Sequence, residues 1–270
     1  MAKIDETAIV DPSAELADDV EVGPYCVIGP KVVLGPGCRL LHHVCIMANT
    51  TCGRDNLFYP YCVIGAPAQD LKSKSPDTQL IIGDANTFRE FVTIHRGTEH
   101  YDGRTVIGSN CYFMAYVHIA HDCVVEDKVI MANGVQIGGH CLIERYANFG
   151  GLAAVHHFVT VGRYAFVGGL TRVVRDVPPF MTVEGNPAEV RCVNSVGLRR
   201  HGFTQTALAA LREAHRTLFR SHLPTSEALK ELESRPALDE NLRYLIEFMR
   251  RTMAGRSGRA RETMRCREQS

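Results

Sequence analysis

The sequence has 270 residues, 45% of them hydrophobic, so it can bury a sizeable core and is unlike a disordered chain. Lys and Arg together number 30, as do Asp and Glu, and this balance gives no sign of nucleic-acid binding. No apolar run is long enough to span a membrane, and the first residues lack the apolar segment of a signal peptide, so we expect a cytoplasmic protein. The charge is uneven, with 15 basic and 9 acidic residues from Asn194 onward, so this basic part could face an acidic partner.

A six-residue period dominates the chain from its start. Every sixth residue from 4 to 64 is apolar, and the pattern resumes over residues 82–94 and again over residues 107–173. A slim residue often stands two positions before the apolar one, and glycine often follows it. This pattern is typical of a coil of three short strands, with about 18 residues per turn, whose stacked coils bury a continuous core.

We therefore predict a mainly β fold, with a parallel β-helix over residues 1–190. An ordinary β-sandwich with irregular strands is the alternative. The period itself does not fix the handedness of the helix.

The repeat also accounts for most of the cysteines. Six lie at the slim inward position and a seventh at an aliphatic one, namely Cys26, Cys38, Cys62, Cys111, Cys123, Cys141 and Cys52. A free cysteine behaves as a small buried hydrophobe, so we expect buried thiols rather than a disulfide framework or a thiolate nucleophile.

Interruptions of the period divide the chain. Residues 66–79 and 96–104 break it, and we predict loops that leave the β-helix there, where binding residues often lie. Beyond residue 190 the spacing becomes helical, with Thr204 as an N-cap, a second helix opening at Pro224 and a third near Leu245. We predict a small C-terminal α-helical domain over residues 191–253, and a basic tail over residues 254–270 that we expect to be disordered.

Five histidines lie within 40 residues of the last repeat block, and none occupies an inward position: His118, His121, His140, His156 and His157. On an 18-residue coil His121 and His157 share one place, two coils apart, so we expect the five to form a column on one face. A solvated surface is the alternative to a cleft. Histidine suits general-base chemistry near neutral pH, and Asp122 is placed to support His121.

The same histidines raise the alternative of a zinc site, as in the gamma-class carbonic anhydrases, which also use six-residue repeats. That family has a His-x4-His pair with a further upstream histidine. Here His118 and His121 have the wrong spacing, and the pair His95 and His100 has no suitable upstream partner. A non-enzymatic β-helix is disfavoured because its surface would be flat and Thr-rich.

Several motifs occur in a specific order. They are Thr93-Ile94-His95-Arg96-Gly97-Thr98, His118-Ile119-Ala120-His121-Asp122-Cys123, Gly139-His140, Ala154-Val155-His156, Val167-Gly168-Gly169, Asp176-Val177-Pro178-Pro179, Gly185-Asn186 and Gly197-Leu198-Arg199-Arg200-His201-Gly202-Phe203. Together they resemble the acyl-[acyl-carrier-protein]–UDP-N-acetylglucosamine O-acyltransferases, which catalyse the first step of lipid A biosynthesis. The likeness extends from about residue 3 to residue 253.

The resemblance implies a left-handed β-helix, a homotrimer with clefts between subunits, and no cofactor or metal. It implies transfer of an (R)-3-hydroxyacyl chain from acyl carrier protein to the 3-hydroxyl of UDP-N-acetylglucosamine, without a covalent acyl-enzyme. His121 matches the general base, Asp122 its supporting acid, and the Gly139 N–H the oxyanion donor. Other positions match substrate-binding residues: Gln69, Asp70, Lys72, His118, His140, His156, Asn194, Arg200 and, limiting the acyl length, Gly169.

The chain also departs from the family. The well-known members have Gln in place of His157, and often His, Glu and Arg in place of Pro187, Val196 and His201. His157 is retained as a candidate binding residue. The departures leave open a UDP-3-amino-sugar acceptor, which would yield an amide. The N-acyltransferase of a later lipid A step usually carries an extra N-terminal domain, and here the repeat begins at Ile4.

The C-terminal helices carry a run of arginines at Arg199, Arg200, Arg212, Arg216 and Arg220. These side chains would suit an acidic carrier protein. A solvated helix face is the alternative.

Overall fold

The computed structural model describes residues 1–235 and 238–268. Short strands wind into a parallel β-helix with three sheets. The first sheet consists of Lys3–Ile4, Glu21–Val22, Arg39–Leu40, Leu57–Phe58, Thr87–Phe88, Tyr112–Phe113, Ile130–Met131, Asn148–Phe149, Phe166–Val167, Met181–Glu184 and Glu189–Val193. The second consists of Ile9–Val10, Val27–Ile28, Cys45–Ile46, Val63–Ala66, Thr93–His95, His118–Ile119, Gln136–Ile137, Ala154–Val155 and Arg172–Val173. The third consists of Glu15–Leu16, Val33–Leu34, Thr50–Cys52, Gln79–Ile82, Arg104–Ile107, Val124–Val125, Leu142–Ile143 and Thr160–Val161.

The six-residue period positions the core as predicted. Uninterrupted coils pair residues 18 apart, as Ile119 pairs with Ile137, and both side chains are fully buried. The same geometry explains why the inward side chains of the first coil are less buried. That coil is covered from one side only, and Ile4 is 44% exposed. The seven cysteines that the repeat places inward are all free and buried, as expected.

Three corners connect the sheets, and we name them A (first to second sheet), B (second to third) and C (third to first). Many corner residues have positive φ, including Tyr116 at corner A, Asp122 at corner B and Lys128 at corner C. A positive φ lets the backbone turn sharply at the corner, but this left-handed conformation costs free energy in any residue that has a β-carbon. Both predicted loops leave from corner B, after Ala66 and after His95, and both rejoin the third sheet.

The C-terminal part follows an antiparallel hairpin made by the last two strands of the first sheet. The predicted boundary after residue 190 falls inside the strand Glu189–Val193. Within the described residues, four α-helices come next: α1 Ser195–Arg200, α2 Gln205–Phe219, α3 Thr225–Glu233 and α4 Glu240–Ala254. Thr204 caps α2 as predicted, since its side chain accepts a hydrogen bond from the Ala207 amide. Among the described residues, no helix combines the length and apolar character needed to cross a membrane.

The sequence predicts a disordered tail over residues 254–270. In the structure, residues 254–268 turn back onto the β-helix and end in a 3-10 helix, Ala260–Glu268, while residues 269 and 270 lie outside the described part. Charged groups rather than apolar periodicity hold it: Arg259 and Glu262 are both buried and form an ion pair at 2.7 Å. The Ala260 amide also donates to the Asp176 carboxylate at 2.7 Å. Sequence periodicity carries no signal for anchoring of this kind.

Candidate active site

Corner B carries the candidate site. Asp122, His140 and Phe158 occupy the same place on three successive coils. The ring of His140 stacks on Phe158, with centroids 4.4 Å apart and planes 8° apart, and Tyr101 of the second loop covers it at 4.0 Å. The aromatic neighbours exclude water from one side of the site.

His121 and Asp122 form a hydrogen-bonded pair next to this stack. Asp122 Oδ2 accepts the Thr98 hydroxyl at 2.7 Å, and Oδ1 accepts the Thr98 amide at 2.9 Å. Nδ1 of His121 lies 2.8 Å from Oδ2, and a carboxylate can only accept there, so Nδ1 carries the proton. This hydrogen bond selects the tautomer of the neutral ring in which the other nitrogen, Nε2, carries the lone pair.

Gly139 lies directly against this ring. A β-carbon at residue 139 would come within 2.8 Å of Cε1 and 2.9 Å of Nε2 of His121. The absence of a side chain thus allows the imidazole to pack on the backbone of the next coil.

The predicted histidine column exists only in part. His121 and His157 occupy one place two coils apart, as the period predicts, with Gly139 between them. His118 instead lies on a strand of the second sheet, where Nδ1 is 2.8 Å from the Thr93 hydroxyl. The expectation of five aligned histidines was therefore wrong, because the imidazoles divide between a corner and a sheet face.

Burial keeps several of these imidazoles neutral. It lowers the pKa of His140 to about 4, although the Asp122 carboxylate opposes this shift. Burial also lowers the pKa of His157 to about 4, assisted by His156 and Arg265. The pKa of His118 is lowered as well, by burial and by the nearby His121. Neutral rings can donate or accept a hydrogen bond without adding charge to the site.

A cavity of about 460 Å³ opens at this point. It is lined by Asp70, Lys72, His121, Gly139, His140, His157, Phe158 and Arg265. Asp70 and Lys72 come from the first loop, as does the exposed Gln69 beside them. Glu99 of the second loop holds the first loop in place. Its carboxylate accepts hydrogen bonds from the Ser73 hydroxyl at 2.5 Å and from the Lys74 amide at 2.6 Å.

Three of the predicted site residues lie elsewhere in the chain. Asn194 caps α1 and donates to the Tyr164 carbonyl at corner C. Arg200 is at the end of the same helix. Gly169 is at corner A, between Phe166–Val167 and Arg172–Val173. A single chain therefore does not bring these residues to His121.

The departures from the family pattern lie mainly around corner C. His201 follows α1 and packs on Tyr146 and Tyr164, with ring centroids 4.7 and 5.3 Å away. Val196 is exposed on α1, and Pro187 lies in the turn between the last two strands of the first sheet. His157 alone lies at the cavity.

A ligand set of metal-binding type is present at the site. One ligand atom each from His121, Asp122 and His140 lies within 4.8 Å of the others. The Asp122 oxygens, however, already accept three hydrogen bonds, one of them from His121 Nδ1. A nitrogen that donates a hydrogen bond cannot bind a metal ion at the same time.

The sequence does not predict a function for some residues that lie at the site. Thr98 was part of a motif but had no function assigned, and Glu99 and Phe158 were not singled out. Arg265 fell in the tail expected to be disordered. The spacing of 18 residues from His140 could have identified Phe158, whereas the others depend on how the loops and tail fold back.

Comparisons with known proteins cover both parts of the chain. A family model described as UDP-N-acetylglucosamine O-acyltransferase, domain 2, matches residues 176–259, and one for bacterial transferase hexapeptides matches residues 104–139. The acyl-[acyl-carrier-protein]–UDP-N-acetylglucosamine O-acyltransferase of Verminephrobacter eiseniae is 44% identical over 254 residues, covering 94% of this chain and 97% of its own.

Solved structures agree with these matches. The UDP-N-acetylglucosamine O-acyltransferase of Moraxella catarrhalis has a TM-score of 0.87 at 41% identity, covering 90% of this chain and 95% of its own. The UDP-N-acetylglucosamine acyltransferase of Arabidopsis has a TM-score of 0.83 at 35% identity, covering 95% and 98%. The similarity therefore extends over the β-helix and the helical part together.

Proposed function

Because the chain belongs to the acyl-[acyl-carrier-protein]–UDP-N-acetylglucosamine O-acyltransferase family, we propose that it transfers an (R)-3-hydroxyacyl chain from acyl carrier protein to the 3-hydroxyl of UDP-N-acetylglucosamine. This is the first step of lipid A biosynthesis. The chain is an acyltransferase with a left-handed parallel β-helix followed by a small α-helical domain. A cytoplasmic location fits this reaction.

The His121–Asp122 pair carries the proposal. Asp122 fixes the proton on Nδ1, so Nε2 is the base. Nε2 takes the proton of the sugar 3-hydroxyl as its oxygen attacks the thioester carbonyl. A new C–O bond forms, the C–S bond then breaks, and His121 returns the proton to the leaving sulfur.

The remaining cavity residues stabilise and orient the reactants. In this mechanism the Gly139 N–H donates to the oxyanion of the tetrahedral intermediate. His140 lines the cavity, and we propose that His118 and His156 line the wider cleft beside it. No side-chain nucleophile takes part, so the acyl chain passes directly between substrates.

Substrate contacts extend beyond the cavity. Gln69, Asp70 and Lys72 contact the sugar nucleotide from the first loop, and Lys72 can offset phosphate charge. Asn194 and Arg200 contact the nucleotide. Gly169 limits the length of the acyl chain, and its missing side chain leaves room for a long one.

A homotrimer supplies these contacts, because the residues lie at different corners of one chain. His121 lies beside corner B, Asn194 borders corner C, and Gly169 is at corner A. Corner A also exposes a run of large apolar side chains, which is typical of a protein interface: Tyr25, Tyr61, Phe91, Tyr116, Leu152 and Leu170. Light scattering at several concentrations tests the trimer, and a monomer that turns over would contradict it.

The base is tested by His121→Ala, with His222→Ala, an exposed histidine after α2, as the control. We expect His121→Ala to lower turnover by on the order of 10²–10⁴-fold at an unchanged melting temperature, and His222→Ala to behave as wild type. Normal turnover by His121→Ala would contradict the mechanism. Wild-type turnover of UDP-N-acetylglucosamine should also exceed that of its 3-amino analogue, and the reverse preference would contradict the proposed acceptor.

A further inference from the structure

The C-terminal strap, residues 255–265, runs from the end of α4 back to corner B. The Gly258 carbonyl accepts the Asp176 amide at 2.8 Å. Arg259 Nη1 donates to the Val174 carbonyl at 2.7 Å, and Arg261 Nε to the His140 carbonyl at 2.9 Å. The strap is thus fixed to three successive points of the β-helix, the last of them a residue of the site.

Its charges are arranged around one buried carboxylate. Glu262 is 3% exposed and pairs with Arg259 and Arg265, both at 2.7 Å. Arg259 is itself buried and is held by the β-helix. Glu262 therefore positions the Arg265 guanidinium through a chain of two ion pairs.

Arg265 reaches the cavity that contains His121. Its guanidinium lies 5.2 Å from the ring centre of Phe158 and donates to Nε2 of His157. Lys72 lines the same cavity from the first loop. His157 is the one departure from the family pattern that faces the cavity, and it is the residue that Arg265 contacts.

We propose that Arg265 is a substrate-binding residue that holds a phosphate group in this cavity. The inference rests on the proposed function, since both substrates of that reaction carry phosphate. One is the diphosphate of the sugar nucleotide, and the other is the phosphodiester of the carrier protein's prosthetic arm. A guanidinium binds phosphate through two parallel hydrogen bonds, and Lys72 adds a second cation.

The test replaces Arg265 with Met and with Lys, and uses Arg256→Met as the matched control. Arg256 lies on the same strap but is exposed, so its replacement removes the same charge away from the cavity. KM for each substrate is measured while the other is saturating, and the affinity for UDP-N-acetylglucosamine is measured separately by calorimetry. Melting temperatures check that each variant is folded.

We expect Arg265→Met to raise one KM by about tenfold or more with kcat within about twofold of wild type, as for the loss of a charged hydrogen bond. A rise for UDP-N-acetylglucosamine identifies its diphosphate, and a rise for the acyl donor identifies the prosthetic arm. Arg265→Lys should recover part of the loss, and Arg256→Met should leave both KM values unchanged.

Two results would overturn the inference. One is that Arg265→Met leaves both KM values within twofold of wild type. The other is that it lowers a KM or raises kcat, since the strap would then obstruct the cavity. Absence of transfer by the wild-type enzyme would contradict the proposed function instead.

Discussion

The imidazole of His121 packs so closely on the backbone of Gly139 that a β-carbon at residue 139 would lie within 2.9 Å of Nε2. Gly139→Ala must therefore displace the ring that we propose as the base. A displacement of about 1 Å at a reacting group costs on the order of 100-fold in rate. We expect kcat to fall by about that factor with little change in KM.

Gly151→Ala is the control for this experiment. Gly151 is also a turn glycine, but a β-carbon there would meet only the Asn133 carbonyl oxygen, at 3.4 Å. Both variants should melt within a few degrees of wild type. Wild-type kcat in Gly139→Ala would show that the position of the His121 ring does not limit transfer.

Asp122→Asn tests how the carboxylate fixes the proton of His121. An amide nitrogen facing Nδ1 would favour the tautomer with the proton on Nε2, which cannot act as a base. We expect kcat to fall on the order of 10²–10³-fold. Steady-state kinetics over a pH range measures this loss.

Thr98→Val separates the control of the His121 tautomer by Asp122 from the role of Asp122 in holding the second loop. It removes the hydroxyl that donates to Oδ2, while the Thr98 amide still donates to Oδ1. The loss should stay below about tenfold, as for one hydrogen bond. Equal losses in Asp122→Asn and Thr98→Val would mean that Asp122 acts by holding the loop.

Glu99 connects the two loops, and Glu99→Ala should release the first. Its carboxylate accepts hydrogen bonds from the Lys74 amide and the Ser73 hydroxyl, which lower the pKa of Glu99 to about 2. The depressed pKa means that the contact is complete above about pH 4.5 and is lost only as the pH falls toward 2.

We expect Glu99→Ala to raise KM for UDP-N-acetylglucosamine by about fivefold or more, because Asp70 and Lys72 are no longer held at the cavity. Asp77→Ala is the control. It removes an exposed carboxylate from the first loop and should leave the KM for UDP-N-acetylglucosamine unchanged. If both variants retained the wild-type KM at pH 7, the first loop would not depend on Glu99.

The sequence predicts the positions of residues within the repeat, but it does not predict how the loops and the C-terminal strap fold back onto the β-helix. The period places Ile119 over Ile137 and His157 above His121, because side-chain direction in a coil follows from residue number alone. The partnership of Thr98 with Asp122 depends on how a loop folds back, and no period encodes it. The strap is a similar case, since Arg259 and Glu262 are buried together as an ion pair that forms only when the strap folds back on the β-helix.

His95 provides a last prediction, on stability. It is 6% exposed, Nδ1 has no hydrogen-bond partner in the part of the chain that the structure describes, and burial lowers the pKa of the ring to about 4. The folded protein therefore resists protonation that the unfolded chain accepts, so stability falls as the pH drops from about 6.5 toward 4. His95→Leu removes this penalty, and melting curves should show the variant gaining about 2–4 °C on wild type between pH 7 and pH 4.5. His222→Leu, at an exposed position, should track wild type, and a His95→Leu curve parallel to wild type would show that His95 does not contribute to acid unfolding.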